Sequence, residues 1–198
     1  MNAIKAVLFD LDGTLLDTAT DLGRALNHLL EEEALPPLPL ETIRPAAGSG
    51  SAGLLKLGMN VLPDDPRYSA LSERLLHFYQ QYFLSTTHFF PGIEQTLDFL
   101  DQHRMPWGIV TNKPACYTDP LITHLKLDQR AVCVISGDSL PNRKPHPEPL
   151  LHACKLLQQA PENCLYVGDS AIDIEACKAA GNPSLAALYG YIPPEENP

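Results

Sequence analysis

The chain of 198 residues is poor in positive charge: 14 lysines and arginines stand against 24 aspartates and glutamates, for a formal net charge of −10. No basic cluster interrupts that deficit. Nucleic acids and anionic membrane surfaces are recognised through basic patches, so neither is expected as a partner. The chain also lacks an apolar run long enough to cross a bilayer. The apolar stretch ahead of Asp10 is too short for a signal-peptide core, so a cytoplasmic location is expected. The five cysteines, Cys116, Cys133, Cys154, Cys164 and Cys177, include no Cys-x-x-Cys pair. Their odd number and wide spacing argue against a disulfide framework or a zinc site, and leave small buried thiols in a reducing compartment. With 44% hydrophobic and 19% charged residues, the composition is that of a soluble globular protein long enough for one substantial core and an insertion.

What the chain does have is concentrated in Asp10-Leu11-Asp12-Gly13-Thr14-Leu15-Leu16-Asp17-Thr18, directly after the apolar run Ile4 to Phe9. Such a run is expected to form a strand buried on both faces, as in parallel sheets. Continued as an extended chain, it would point Asp10 and Asp12 the same way, about 6–7 Å apart. At an effective dielectric near 20, two carboxylates at that distance repel by roughly 2–3 kcal/mol. The site must then contain a cation or keep one carboxyl protonated. A hard divalent ion such as Mg²⁺ prefers such oxygens and keeps waters while meeting a substrate phosphate. Beside it, an ionised Asp10 could attack phosphorus, while Asp12 gives a proton to the departing alkoxide and later takes one from water. Gly13 permits a sharp turn, and the Thr14 hydroxyl is expected to pin it. The competing reading is an aspartate-rich turn after a buried strand.

Farther along, Thr18-Ala19-Thr20-Asp21 resembles a helix start with a capping threonine, and Leu22, Leu26, Leu29 and Leu30 follow at helical spacing. From Leu40 to about Thr87 the pattern stays helical, with a broad apolar face over Leu71, Leu75, Phe78 and Tyr82 beside Leu76, Tyr79 and Phe83. Strands are then expected at Trp107 to Val110, Ala131 to Ile135, Cys164 to Val167 and Leu185 to Leu188, separated by helices near Ile93 to Leu100, Tyr117 to Leu125, Pro147 to Leu157 and Ala171 to Ala180. Gly181 is suited to a left-handed C-terminal cap. Alternating strands and helices imply an α/β fold with a doubly wound parallel sheet, whose ligand site lies at the carboxyl ends of the strands. Residues 1–16 and 89–198 are expected to form this core, and residues 17–88 a helical insertion.

That topology gathers the polar residues. Thr111-Asn112-Lys113-Pro114 places a hydroxyl and backbone N–H groups where a helix begins, a seat for phosphate oxygens or simply a helix cap. Lys144 lies in the proline-rich loop Pro141-Asn142-Arg143-Lys144-Pro145, where its backbone is restricted. Asp169 ends a strand, and Asp173 follows it in the first helical turn, which favours an acid. His28, His77 and His146 show no ligand spacing.

The nine-residue run at Asp10 resembles the first motif of the haloacid dehalogenase superfamily, in its phosphatase branch. The Thr111, Lys144 and Gly168-Asp169-Ser170-Ala171-Ile172-Asp173 segments resemble its second, third and fourth motifs, in the same order. The resemblance implies an enzyme with a helical cap over residues 17–88, working on a small phosphorylated metabolite with Mg²⁺. It implies Asp10 as the phosphorylated nucleophile, Asp12 as acid/base, and Thr111 with Asn112 as phosphoryl-binding residues. It also implies Lys144 as the fixed cation, ahead of Lys113 and Arg143, and a metal held by Asp10, the Asp12 backbone carbonyl and Asp169. Thr111-Asn112-Lys113-Pro114, Lys144-Pro145-His146-Pro147 and Tyr189-Gly190-Tyr191 look most like bacterial phosphoglycolate phosphatases. Trp107 and the Pro193-Pro194-Glu195-Glu196-Asn197-Pro198 ending are nearer the related N-acetylmuramic acid 6-phosphate phosphatases. Family members continue with a further strand and helix, so this chain is expected to lack that last element.

Both substrates carry a carboxylate, and in the cap Arg44 could hold one bidentately, while Gly48-Ser49-Gly50-Ser51 could present N–H groups; a flexible loop with a surface arginine is the plainer reading. A sugar-phosphate mutase also keeps both aspartates. A signalling receiver would carry its phosphorylated aspartate on a later strand and has no large helical insertion, and a non-catalytic phosphate binder would be expected to have lost Asp10 or Asp12. A monomer or homodimer is expected.

Overall fold

A computed structural model describes residues 3–192; the Pro193 to Pro198 ending lies outside them. The chain divides into two compact units, one formed by residues 3–16 and 89–190, the other by 17–88 together with Tyr191 and Ile192. Among the described residues the strands are β1 (Ala6–Phe9), β2 (Leu16–Asp17), β3 (His88–Phe89), β4 (Trp107–Val110), β5 (Cys133–Ile135), β6 (Cys164–Gly168) and β7 (Ser184–Ala186). The α-helices are α1 (Ala19–Glu32), α2 (Leu40–Ala47), α3 (Gly50–Met59), α4 (Tyr68–Tyr82), α5 (Ile93–Gln102), α6 (Ala115–His124), α7 (Glu148–Leu156) and α8 (Ala171–Ala180). No helix of the described residues is long and apolar enough to cross a membrane.

In the first unit the sheet order is β5-β4-β1-β6-β7, and every neighbouring pair is parallel. The central position of β1 explains its composition: all four of its residues are buried, so neither face can be polar. From β1 the chain adds β4 and β5 on one side, then crosses to add β6 and β7 on the other. The order therefore reverses beside β1, and the crevice at the carboxyl ends of β1, β4 and β6 is where such sheets hold ligands. One core cluster joins Leu8, Val110, Ile135 and Tyr166 of the sheet to Leu150 and Cys154 of α7 and Ala176 and Cys177 of α8. Cys133, Cys154, Cys164 and Cys177 are buried thiols as expected, whereas Cys116 is exposed. It sits in the first turn of α6, whose buried residues are Tyr117, Thr118, Leu121 and Ile122.

The short strands β2 and β3, which form a separate two-stranded ribbon, were not expected, because two residues each give no readable alternation. In the helical unit, α1 supplies the buried face Leu22, Leu26, Leu29 and Leu30, and α4 supplies Leu71, Leu75, Phe78 and Tyr79. His28 stacks on Phe78 with ring centroids 4.1 Å apart.

The start of α1 differs from the sequence expectation. Thr18 occupies the N-cap but makes no capping hydrogen bond through its side chain. Instead the Tyr191 hydroxyl accepts from the N–H groups of Thr18 at 2.7 Å and Ala19 at 2.9 Å, and donates to Asp17 Oδ1 at 3.0 Å. A phenol distant in sequence thus satisfies two N–H groups at the helix start that have no intrahelical partner. This is why Tyr191 groups with the helices and not with the sheet that precedes it. Asp21, in the first turn of α1, does more than sit at a helix end: it is fully buried. Its carboxylate accepts from Thr86 N at 3.1 Å, Thr86 Oγ1 at 2.6 Å, Thr87 N at 3.2 Å and Thr87 Oγ1 at 2.9 Å.

Removing that carboxylate orphans several donors at once. Asp21→Ala is expected to destabilise the helical unit by about 2–4 kcal/mol in urea unfolding followed by circular dichroism, while Thr86→Ala alone costs roughly 1–2 kcal/mol.

Candidate active site

All the polar residues of the crevice belong to the sheet unit. β1 ends at Phe9, and Asp10 continues its ladder by one bond, from its N–H to the carbonyl of Val167 at 2.9 Å. The chain then turns back on itself: the N–H groups of Leu15 and Leu16 both donate to the Leu11 carbonyl, at 3.0 and 2.9 Å. Gly13 sits in this turn at φ +81°, a conformation that costs other residues 1 kcal/mol or more by typical magnitudes. Because the strand stops at Phe9, the expected alternation does not extend to Asp12. The two carboxylates go to different partners.

Asp10 faces Lys144, whose Nζ is 3.0 Å from its Oδ1. Asp12 turns to Lys113, with Nζ 3.2 and 3.1 Å from its two carboxylate oxygens. The Thr14 hydroxyl does not pin the turn, which the backbone already closes; it donates to Asp169 Oδ1 at 3.2 Å.

β4 delivers the second segment. Thr111 is buried; its N–H continues the ladder to the Ile135 carbonyl at 2.9 Å, and its Oγ1 accepts from Lys113 N–H at 3.2 Å. The Asn112 side chain does not point its amide at an open seat: Nδ2 donates to the Lys144 backbone carbonyl at 2.9 Å, which braces the loop that carries the lysine. The Ala115 N–H, at the start of α6, is taken by Asp138 Oδ1 at 2.8 Å.

Lys144 is 2% exposed. Its Nζ donates to Asp173 Oδ1 at 2.7 Å and Tyr166 Oη at 2.7 Å, in addition to the pair with Asp10. Burial works against its charge, but Asp10 and Asp173 outweigh burial and hold the ammonium protonated above the usual lysine range. Asp173 has a double task. Its Oδ2 accepts from the Ser170 N–H and hydroxyl, at 3.1 and 2.8 Å, closing a capping box at the start of α8, while its Oδ1 faces the lysine. Burial opposes its ionisation, yet Lys144 and the Ser170 bonds keep its carboxyl below the ordinary aspartate value. The sequence reads Asp173 as an acid favoured by a helix start, outside the implied metal set, and gives Tyr166 no role. The signal for the latter was a tyrosine in the middle of a fully apolar strand, where a hydroxyl must find a partner.

Asp10, Asp169 and Asp173 each offer a carboxylate oxygen within 4.8 Å of the others. Asp10 is 9% exposed. Its carboxyl is pushed up to about 8, first by burial and then by the charges of Asp173 and Asp169, against which Lys144 compensates only in part. Three crowded acids and one shared ammonium leave negative charge unbalanced, and oxygen donors suit a hard divalent cation such as Mg²⁺. With Asp173 engaged by Lys144 and Ser170, the carboxylates best placed to hold it are Asp10 and Asp169. Arg44 and Ser49 belong to the helical unit. Arg44 pairs with Asp17 at 2.7 Å and lies over the Tyr191 ring at 5.3 Å, and Ser49 precedes α3 without a capping bond from its side chain.

A parallel sheet that delivers acids, a lysine and a threonine to its carboxyl edge defines a class of hydrolase. The family model described as haloacid dehalogenase-like hydrolase matches residues 7–187, and the chain belongs to that family. It is 42% identical to the phosphoglycolate phosphatase of Xanthomonas campestris pv. campestris over 98% of this chain and 87% of that protein. It is 37% identical to the N-acetylmuramic acid 6-phosphate phosphatase of Pseudomonas putida over 98% of this chain and 87% of that protein. Among solved structures, a predicted phosphoglycolate phosphatase from Haemophilus somnus superposes with a TM-score of 0.83 at 28% identity, covering 96% of this chain and 88% of that one.

The buried lysine makes a sharp test of this arrangement. Lys144→Met keeps an unbranched side chain of nearly the same reach and leaves Asp10 and Asp173 without their shared cation. Loss of one partner of a buried pair typically costs about 3–5 kcal/mol, and denaturant unfolding in the absence of divalent ions should show a loss in that range.

Proposed function

We propose that the protein is a cytoplasmic, Mg²⁺-dependent phosphomonoesterase that transfers the phosphoryl group of a small metabolite to Asp10 and then to water. The observation that carries this reading is the meeting of Asp10 with Lys144 and Asp169 at the reversal point of the sheet. Held by Asp10 and Asp169, the metal ion would offset the charge of the acids and of the phosphoryl oxygens.

Asp10 must be ionised to attack. Burial and its acidic neighbours oppose that, so the nearby cations are required by the electrostatics of the site itself. Lys144 has its three N–H bonds on Asp10, Asp173 and Tyr166, and so it acts mainly by neutralising and orienting Asp10. The Thr111 hydroxyl and the loop that follows it would seat the phosphoryl oxygens. In the first step an Asp10 oxygen bonds to phosphorus and the substrate oxygen leaves with the proton of Asp12. In the second, water attacks phosphorus, Asp12 takes its proton, and inorganic phosphate departs from the freed Asp10 carboxylate. Lys113 holds Asp12 before substrate arrives.

The helical unit serves as the specificity cap. A substrate carboxylate directed to Arg44 would have to compete with Asp17, its present partner, and Ser49 is a second polar contact. Phosphoglycolate is the leading substrate. N-acetylmuramic acid 6-phosphate is the second reading, supported by the relative of that name.

Asp10→Asn is expected to abolish phosphatase activity, and full retention would sink the aspartyl-phosphate reading. Asp12→Asn should lower the rate on an alkyl phosphate by about 10²–10⁴-fold. EDTA should remove activity and Mg²⁺ restore it. Comparing kcat/KM for phosphoglycolate and N-acetylmuramic acid 6-phosphate decides between the substrates.

A further inference from the structure

The turn after β7 takes no part in the reaction just described, yet it forms the wall behind Asp169. That carboxylate stands between two glycines from opposite ends of the sheet unit. A Cβ on Gly13 would lie 2.0 Å from Asp169 Oδ2. One on Gly190 would lie 2.4 Å from Asp169 Cβ, 2.4 Å from the Gly13 carbonyl oxygen and 2.6 Å from Asp169 Oδ2. These approaches are shorter than any real Cβ tolerates, so a methyl group could be admitted only by moving Asp169 and, at Gly190, the Gly13 carbonyl with it. Gly13 has a second reason to be glycine in its positive φ. Gly190 is not among the positive-φ residues, so the demand there is for space alone.

The turn is also fastened. The Ala187 N–H donates to the Gly168 carbonyl at 2.8 Å, and the Gly190 N–H to the Ala187 carbonyl at 2.9 Å. The Tyr189 hydroxyl donates to the Thr14 carbonyl at 3.1 Å, and its ring packs on Phe90 with centroids 5.0 Å apart. Thr14 in turn donates to Asp169. Backbone of the nucleophile loop, the metal-site acid and the Tyr189-Gly190 turn thus form one closed set of contacts.

We infer that Tyr189 and Gly190 are positioning residues for the Asp169 carboxylate, and that this turn sets the affinity of the site for Mg²⁺. The inference rests on the metal reading above and deepens it. Residues that orient metal ligands from behind typically change affinity by about 10–100-fold when altered. Gly190→Ala should therefore weaken Mg²⁺ binding by about tenfold or more. Tyr189→Phe keeps the ring against Phe90 and deletes one hydrogen bond, so a weakening of about 2- to 10-fold is expected.

The measurement is isothermal titration of the metal-stripped full chain with MgCl₂ alone, without substrate, on the wild type and both variants. Circular dichroism of the stripped proteins reports folding separately. Folded variants that bind Mg²⁺ as the wild type does would overturn the inference. Should Gly190→Ala fail to fold, Tyr189→Phe decides alone, with unchanged affinity counting against the proposal. A wild type that takes up no Mg²⁺ would overturn both the inference and the metal part of the function, whereas a fully active Asp10→Asn would overturn the nucleophile assignment and leave the Mg²⁺ affinities to stand.

Discussion

An ammonium group that is 2% exposed has no water to solvate it, so it exists only because anions surround it. Lys144 meets this condition with the carboxylates of Asp10 at the end of β1 and Asp173 in the first turn of α8, and a third partner, the neutral Tyr166 hydroxyl within β6, accepts its remaining bond. Its own loop is tied by the Asn112 amide on its carbonyl. One buried ion therefore fixes the relative placement of four segments. Burying such a group is not the cheapest way to gain stability, since apolar side chains of similar volume commonly do as well or better. What an apolar replacement could not supply is a fixed positive charge against Asp10.

The charge is nonetheless insufficient. Asp173 shares the same lysine and spends its other oxygen on Ser170, so Asp10 receives only part of the compensation. Asp169 adds a third carboxylate to the same cluster, where Gly13, Gly190 and Thr14 crowd it. Charge imbalance and tight confinement at the same place are what an oxygen-coordinated cation requires. The same excess of carboxylate would make the cluster a poor structural feature if it had no ligand.

Much of this was legible in the sequence because it depends on local rules. The apolar runs that begin at Ile4, Trp107, Ala131 and Cys164 announce strands, Gly181 announces the end of α8, and Asp10, Asp12, Thr111, Lys144 and Asp169 stand at strand ends or in loops. What was not legible depends on partners distant in the chain. Thr18 has the chemistry of a helix cap, but the Tyr191 hydroxyl does the capping. Thr14 has the chemistry of a turn pin, but the turn closes through its own backbone and frees the hydroxyl for Asp169. Tyr166 reads as a core aromatic until its hydroxyl is seen between Lys144, Asp173 and the Val110 carbonyl. Asp12 does not align with Asp10 because the strand ends at Phe9, and Gly13 turns the chain before a second carboxylate can follow the first.

The polar side chains named in the two units obey different energetics. In the sheet unit, polar side chains such as Lys144, Asp173 and Thr111 are buried, so altering one leaves another buried group unsatisfied and carries a large penalty in stability. In the helical unit, the Arg44 side chain is a third exposed where it pairs with Asp17, and such a pair contributes about 1 kcal/mol or less. Its presence is therefore not accounted for by stability, and a change there would be tolerated by the fold. Were substrate choice to lie with such side chains, as proposed, it could shift while the phosphoryl chemistry is kept, which would accord with relatives of 42% and 37% identity bearing the names of two different phosphatases. On the proposed assignment of Arg44 to the substrate, identity summed over the whole chain would be dominated by residues that have no part in choosing it.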